Sequence, residues 1–241
     1  MELLKNKVAL ITGGSKGIGY GIAQSLINMG VHVAVTSRTE ASAVNAANIL
    51  TSGIESDVKA IGIEADVRDF ESQQKAVATV LSQFGQLDIV IANAGLGHYG
   101  NIEDISIQQW QETIDTNLTG AFYTIKASLE ALKKSQGYYI TISSLAGTNF
   151  FANGSAYNAS KFGLTGFTQA VMLDLRKYGI KVSTIMPGSV STYFNGNIPN
   201  PEDAWKIQIE DIGELVVDVL KMNPRTLPSK IEVRPSTPPG N

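Results

Sequence analysis

Tyr157 and Lys161 stand four residues apart in the stretch SAYNASKFG, residues 155–163. The stretch reads as the first turns of a helix. Residues four apart lie on one helical face, so the phenol and the ammonium share one space. A tyrosine at its ordinary pKa of about 10 is a weak acid near neutrality. A cation within ~4–6 Å favours the phenolate. About 3–4 kcal/mol of differential stabilisation would bring the phenol close to neutral pH, which one close charge in a closed site supplies. The chain holds 8 tyrosines, so a Tyr-x3-Lys pair carries little by itself. Ser144 raises its weight: it lies thirteen residues upstream, in ITISSLAG, at the end of an apolar run. A hydroxyl at a strand end, then a loop, then a helix carrying Tyr157, can converge on one carbonyl oxygen. The chemistry is protonation and polarisation of a carbonyl.

The elements that must position these groups alternate along the chain. Short β-branched or apolar runs at 8–12, 32–37, 59–65, 87–92, 138–143, 181–186 and 230–234 read as strands. Amphipathic stretches at 17–29, 41–50, 70–84, 106–132, 155–178 and 211–220 read as helices. Strands that alternate with helices of this length predict parallel βαβ units, and continuous apolar runs predict burial on both faces. The fold class is therefore α/β. A single doubly wound domain over 1–241 is expected, with a seven-stranded parallel sheet, helices on both faces and a ligand beyond the carboxyl ends of the strands. Residues 192–210 read as a short substrate lid, and the tail PSTPPGN at 235–241 is expected to fray.

The first strand ends in TGGSKGIG, with Gly13, Gly17 and Gly19 spaced G-x3-G-x-G and with Ser15, Lys16 and Ile18 between them. Glycines let backbone amides approach a pyrophosphate, and the helix N-terminus adds a dipole that favours the anion. The position after the first strand and before the first helix is the context such a turn needs. The second strand indicates which nucleotide. An NAD site places an acid about 20 residues on, to accept from the ribose 2′-hydroxyl. Here Thr36, Ser37 and Arg38 occupy that position, and the first acid is Glu40. Arg38 and Lys16 would clamp a 2′-phosphate, with Ser37 as a further donor, so the expected cofactor is NADP(H).

Composition removes other classes. The chain has 241 residues, 43% hydrophobic and 17% charged, and a formal net charge of −3, so charge offers no case for nucleic acid or an anionic membrane. It has no cysteine, which excludes disulfides and thiolate chemistry. No apolar run reaches about 18 residues, so no membrane span is expected. With no leader read at the N-terminus, the expected location is cytoplasmic. His32 falls in a strand and His98 in a loop, and no metal site is expected.

In the order of its motifs the chain resembles the short-chain dehydrogenase/reductase family, and within it the 3-oxoacyl-carrier-protein reductases. The motifs are TGGSKGIG at 12–19, Asp66-Val67, Asn93-Ala94-Gly95, Asn117, Ser144, Tyr157-x3-Lys161, and Pro187-Gly188 followed by Val190 and Thr192. The resemblance implies an NADPH-dependent reductase of ketones or 3-oxoacyl groups, working reversibly. Tyr157 is implied as the acid/base, with Lys161 lowering its pKa and binding the nicotinamide ribose. Ser144 would hold the carbonyl, and Asn117 a water that leads from Lys161 to solvent. Asp66 and Val67 would flank adenine, Asn93 to Gly95 would line the cofactor, and Val190 and Thr192, after Pro187 and Gly188, would meet the carboxamide. It also implies a homodimer or homotetramer through the helices at 106–132 and 155–178.

Three departures stand out. Ala92 replaces a frequent asparagine, and the chain lacks the family's frequent Asp-Gly-Gly after the last strand. The positions where acyl-carrier reductases carry basic docking residues are Ser135 and Tyr178, with Lys133, Lys134, Arg176 and Lys177 beside them, which weakens an acyl-carrier partner. Tyr99, Tyr193, Phe194 and Trp205, and His98 beside them, are candidates to meet the substrate. The competing reading is a cofactor-binding sensor or scaffold without turnover, which has no need of an intact Ser144, Tyr157, Lys161 and Asn117.

Overall fold

The computed structural model describes residues 3–54 and 57–237. Seven strands form one all-parallel sheet in the order β3-β2-β1-β4-β5-β6-β7. They are β1 (Val8–Ile11), β2 (His32–Ser37), β3 (Ala60–Glu64), β4 (Ile89–Ala92), β5 (Tyr138–Ile142), β6 (Lys181–Pro187) and β7 (Lys230–Val233). The order reverses between β1 and β4, which opens a crevice at the carboxyl ends of those two strands. Each strand came within two residues of its sequence-predicted ends.

Strand side chains alternate between two cores. Ala9 and Ile11 of β1 face one cluster, with α1 (Gly17–Asn28), α2 (Glu40–Thr51) and α7 (Ile209–Lys221) packed on it. Val8 and Leu10 face the other, covered by α3 (Phe70–Phe84), α5 (Gly120–Ser135) and α6 (Ser155–Leu175). This period of two, with both faces apolar, explains the unbroken hydrophobic runs. The close seat of α7 on α1 needs Gly21 and Gly213, where a Cβ would strike Ile209 and Ser25.

The long helix expected at 106–132 differs. It is α4 (Ile107–Ile114), opened by a capping box of Ser106 and Gln109, then a π turn at Asp115–Thr119, then α5. The wide turn rotates Asn117 inward, where it is 1% exposed and bonded to Leu96 and Ser160. The helix expected at 155–178 is α-helical to Leu175 and closes in a 3-10 turn at Arg176–Tyr178, with Gly179 at φ 76°. Among the described residues no helix is long and apolar enough to cross a membrane.

Candidate active site

The loops after all seven strands line one cleft of about 1640 Å³. At its nucleotide end, Gly13 has φ 62° and Gly17 φ 60°, the left-handed region where a side chain is strained. A Cβ on Gly13 would stand 2.9 Å from Ala94 Cα, and one on Gly19 would stand 2.5 Å from Asn93 Nδ2. Asn93 holds this loop: its Nδ2 donates to the carbonyls of Thr12 at 2.9 Å and Gly13 at 3.1 Å. Thr12 Oγ1 returns the contact by accepting from the amides of Asn93 at 3.1 Å and Ala94 at 3.2 Å. Ser15, Lys16, Gly17 and Ile18 line the cleft from this turn, while Gly19 lies beneath it. Lys16 caps α1 with extended backbone and no side-chain bond to the helix, so its ammonium is not spent on capping.

Ser37 and Arg38 line the cleft from the end of β2, and no carboxylate among the described cleft-lining residues follows that strand before β3. Asp66, after β3, is held by Arg68, whose Nε donates to Oδ1 at 3.0 Å and whose Nη2 donates to Oδ2 at 2.6 Å. That bond, opposed by partial burial and aided by the charges of Arg68 and Arg38, lowers the Asp66 carboxyl below its ordinary range. Arg68 thus joins Lys16 and Arg38 in the cleft, a cation that the motif reading passed over although it stands two residues after Asp66. Val67 lines the cleft and packs on α5, where a Cβ on Gly120 would meet its methyl at 2.8 Å. The residues fit a nucleotide with a 2′-phosphate: a side-chain-free cradle for pyrophosphate and cations in place of an acid at the ribose.

At the other end, Tyr157 and Lys161 project from the first turns of α6. They are 9% and 4% exposed, with Nζ 5.7 Å from the phenol ring centroid. Lys161 Nζ donates to the Ile142 carbonyl at 3.0 Å, at the end of β5. Ser144 follows, its hydroxyl accepting from the Ala146 amide at 3.1 Å and donating to the Pro187 carbonyl at 3.5 Å, near enough to Tyr157 to oppose the rise of its pKa. Asn158, next to Tyr157, anchors this loop to α6 by donating to the carbonyls of Ala146 and Asn149, both at 2.8 Å. Gly95 brings the β4 loop against both Asn117 and Lys161, since a Cβ there would stand 3.3 Å from Asn117 Oδ1 and 3.7 Å from Lys161 Nζ.

The protonation balance differs from expectation. Burial pushes Tyr157 well above its ordinary range, with Tyr99 adding to the rise and Ser144 opposing it. Burial also lowers Lys161 to about 8. Desolvation of both groups sets the balance, because each loses its water and Lys161 turns its ammonium to a backbone carbonyl. Asn117 also differs in detail. It does not line the cleft, and Nδ2 donates to the Leu96 carbonyl at 2.8 Å and to Ser160 Oγ at 2.9 Å. Both amide hydrogens are spent, so a water would have to be held through oxygen.

Pro187, Gly188, Val190 and Thr192 line the cleft after β6, and Thr192 stands 3.7 Å from the position of a Cβ on Gly17. The 192–210 segment forms two short 3-10 turns, Phe194–Gly196 and Pro201–Trp205, and Asn195 Oδ1 accepts from the Gly97 amide at 3.3 Å. Tyr99, Tyr193, Phe194 and Trp205 all line the cleft. Tyr99 meets Tyr157 edge-on at 5.4 Å, and Phe194 meets it at 5.9 Å. His98 does not line the cleft and pairs instead with Glu112 at 2.9 Å. Among the described residues no group of His, Asp or Glu could hold a metal ion. Pro235–Thr237 line the cleft, and 238–241 of the expected tail lie outside the described residues.

Residues 7–203 match the model of the short chain dehydrogenase family. The chain belongs to that family. It is similar to a trans-4-hydroxycyclohexanecarboxylate dehydrogenase of Sinomonas cyclohexanicum, at 38% identity over 88% of this chain and 85% of that one. Among solved structures it is similar to an alcohol dehydrogenase from Thermococcus sibiricus complexed with 5-hydroxy-NADP. The TM-score is 0.90 at 30% identity, over 98% of this chain and 99% of the other. It is also similar to a 3-ketoacyl-ACP reductase from Sinorhizobium meliloti, with a TM-score of 0.85 at 31% identity, over 94% and 97% of the two chains.

Proposed function

We propose that this short chain dehydrogenase is an NADP(H)-dependent oxidoreductase that reduces a ketone to an alcohol, reversibly, with Tyr157 as the proton donor. The observation that carries the reading is the convergence of Tyr157, Ser144 and Lys161 on one cleft that also holds the glycine cradle, with Lys161 Nζ 5.7 Å from the Tyr157 ring. When bound, NADP(H) supplies or accepts the hydride. Lys16 and Arg38 would hold its 2′-phosphate, with Arg68 on the same cleft lining. Ser144 donates to the carbonyl oxygen and polarises it. Tyr157, whose burial keeps its proton in place at neutral pH, gives that proton up as negative charge grows on the substrate oxygen, because an alkoxide is a stronger base than a phenolate. Lys161 then faces the phenolate and stabilises it. Asn117 and Asn158 act as positioning residues, the first through Leu96 and Ser160, the second through the Ser144 loop.

For the substrate, a cyclic or short-chain ketone has support from the hydroxycyclohexanecarboxylate and alcohol dehydrogenase relatives. A 3-oxoacyl carrier substrate has support from the Sinorhizobium reductase. Ser135 weakens the latter, since its hydroxyl is turned to the Leu87 carbonyl at 2.8 Å. The reading of a homodimer or homotetramer puts the contact on the segments 106–132 and 155–178, where Phe122, Phe162 and Leu173 are each more than two-fifths exposed. NADPH oxidation against a panel of ketones tests the function, with Tyr157→Phe as control. Turnover lost in the variant with NADPH affinity retained is the expected result. A variant at the wild-type rate would overturn the assignment of the acid.

A further inference from the structure

We infer that the substrate end of the cleft takes a ketone that also carries a carboxylate, and that Arg234 recognises that carboxylate; this rests on the reductase reading above. The observation is the distribution of charge along the lining. The nucleotide end holds Lys16, Arg38, Arg68 and Asp66. Past Ser144 the lining becomes aromatic, with Tyr99, Phe150, Phe151, Tyr193 and Phe194. Lys206 also lines the cleft, but Asp203 holds its ammonium at 2.5 Å on the segment that leads into α7. Among the described residues, the remaining charged side chain of the lining apart from Lys161 is Arg234, and Asp66 is the one carboxylate that lines the cleft.

The backbone places Arg234 there. The Gly188 amide donates to the Val233 carbonyl at 2.8 Å, which ties the end of β7 to the loop after β6. A Cβ on Gly188 would stand 3.1 Å from Leu145 and 3.3 Å from Pro235, so 234–237 runs beside the residue that follows Ser144. Glu232 accepts from Arg234 Nη2 at 3.1 Å and does not itself line the cleft. It therefore steadies the guanidinium from outside and spends one of five N–H donors. The remaining donors match the two oxygens of a carboxylate. An exposed arginine paired with a near neighbour is usually a solvated ion pair of little consequence. Arg234, with 57% of its side chain exposed, differs in that it lines the cleft while its one acidic partner, Glu232, does not.

The substrate class is an oxo acid of short reach. Its apolar body lies on Tyr99 and Phe194, its carbonyl oxygen meets Ser144 and Tyr157, and its carboxylate meets Arg234. In reduction the hydride of NADPH bonds to the carbonyl carbon, the C–O π pair takes the Tyr157 proton, the carboxylate is unchanged, and NADP⁺ leaves. The test compares 4-oxocyclohexanecarboxylate, its methyl ester and cyclohexanone as substrates for wild type and Arg234→Gln, with calorimetric titration of acid and ester onto NADPH-loaded protein. The expected result is a fall of about tenfold or more in kcat/KM for the acid, mainly through KM, with the two neutral ketones changed less than about twofold. Equal losses for acid and ester, or a wild type that does not prefer the acid, would overturn the inference. If wild type reduces none of these ketones and none of a wider panel, the reductase reading fails. The titration still decides this one: tighter binding of acid than ester, lost in the variant, upholds it, and equal binding sinks it.

Discussion

Replacing Lys161 with methionine should abolish turnover and yet stabilise the protein near neutral pH. Lys161 is buried at the carboxyl end of β5, and burial lowers it from 10.5 to about 8. The folded state therefore binds a proton less readily than the unfolded chain. Below about pH 8 the ammonium is charged in both states, and its burial costs the fold about 3 kcal/mol relative to a neutral lysine. Between about pH 8 and 10.5 the unfolded state still holds the proton that the folded state has released, so wild-type stability rises with pH on account of this group. Methionine removes the charge and keeps most of the stem. It also forfeits the 3.0 Å bond to the Ile142 carbonyl, a loss of about 1 kcal/mol. The net gain at pH 7 is about 2 kcal/mol, or roughly 4–8 °C in Tm for a chain of this size. Denaturant unfolding of both proteins from pH 6.5 to 10.5 is the assay. The advantage of the variant should shrink as pH rises and reverse by the upper end. A difference between the two that stays constant across that range would refute the reasoning, because it would mean that Lys161 titrates alike folded and unfolded.

Three other outcomes follow from the site. Arg38→Asp should weaken NADPH by about tenfold or more and leave NADH nearly unchanged, measured by fluorescence titration; equal losses would remove the 2′-phosphate clamp. Gly19→Ala should cost about 1–3 kcal/mol of stability and disturb nucleotide binding, since its Cβ would stand 2.5 Å from Asn93 Nδ2 and 2.7 Å from the Gly13 carbonyl; a wild-type melting curve and affinity would show that the loop yields freely. Alcohol oxidation needs Tyr157 as a phenolate, and its raised pKa places that form at alkaline pH. The oxidative rate should therefore climb with pH beyond 9, while reduction declines as Lys161 loses its charge through about 8; oxidation with a neutral optimum would contradict the raised phenol.

Much of this protein was determined by residue order alone. Strands carry buried side chains on both faces, so β1 to β7 appear as apolar runs, and the helices between them show as amphipathic stretches. The cradle was legible because Gly13 and Gly17 need a backbone that few residues tolerate, and Gly13 and Gly19 need space that a Cβ would fill. The Tyr157–Lys161 pair was legible because helical spacing is local.

Tertiary packing decided the rest. The π turn at Asp115–Thr119 was not readable, because what rotates Asn117 inward is contact with Leu96 and Ser160, distant by 21 and 43 residues. Arg68 and Arg234 carried no signal in the sequence: Asp66 holds the first at the cleft, and the tie between Val233 and Gly188 sets the backbone of the second beside the Ser144 loop. His98 was a candidate to reach substrate, but Glu112 on α4 turns its ring aside. The protonation of the site belongs to the same class. A sequence shows that a cation and a phenol are neighbours, which argues for attraction. Only the fold shows that both have lost their water, and desolvation is a property of everything packed around them rather than of the two residues.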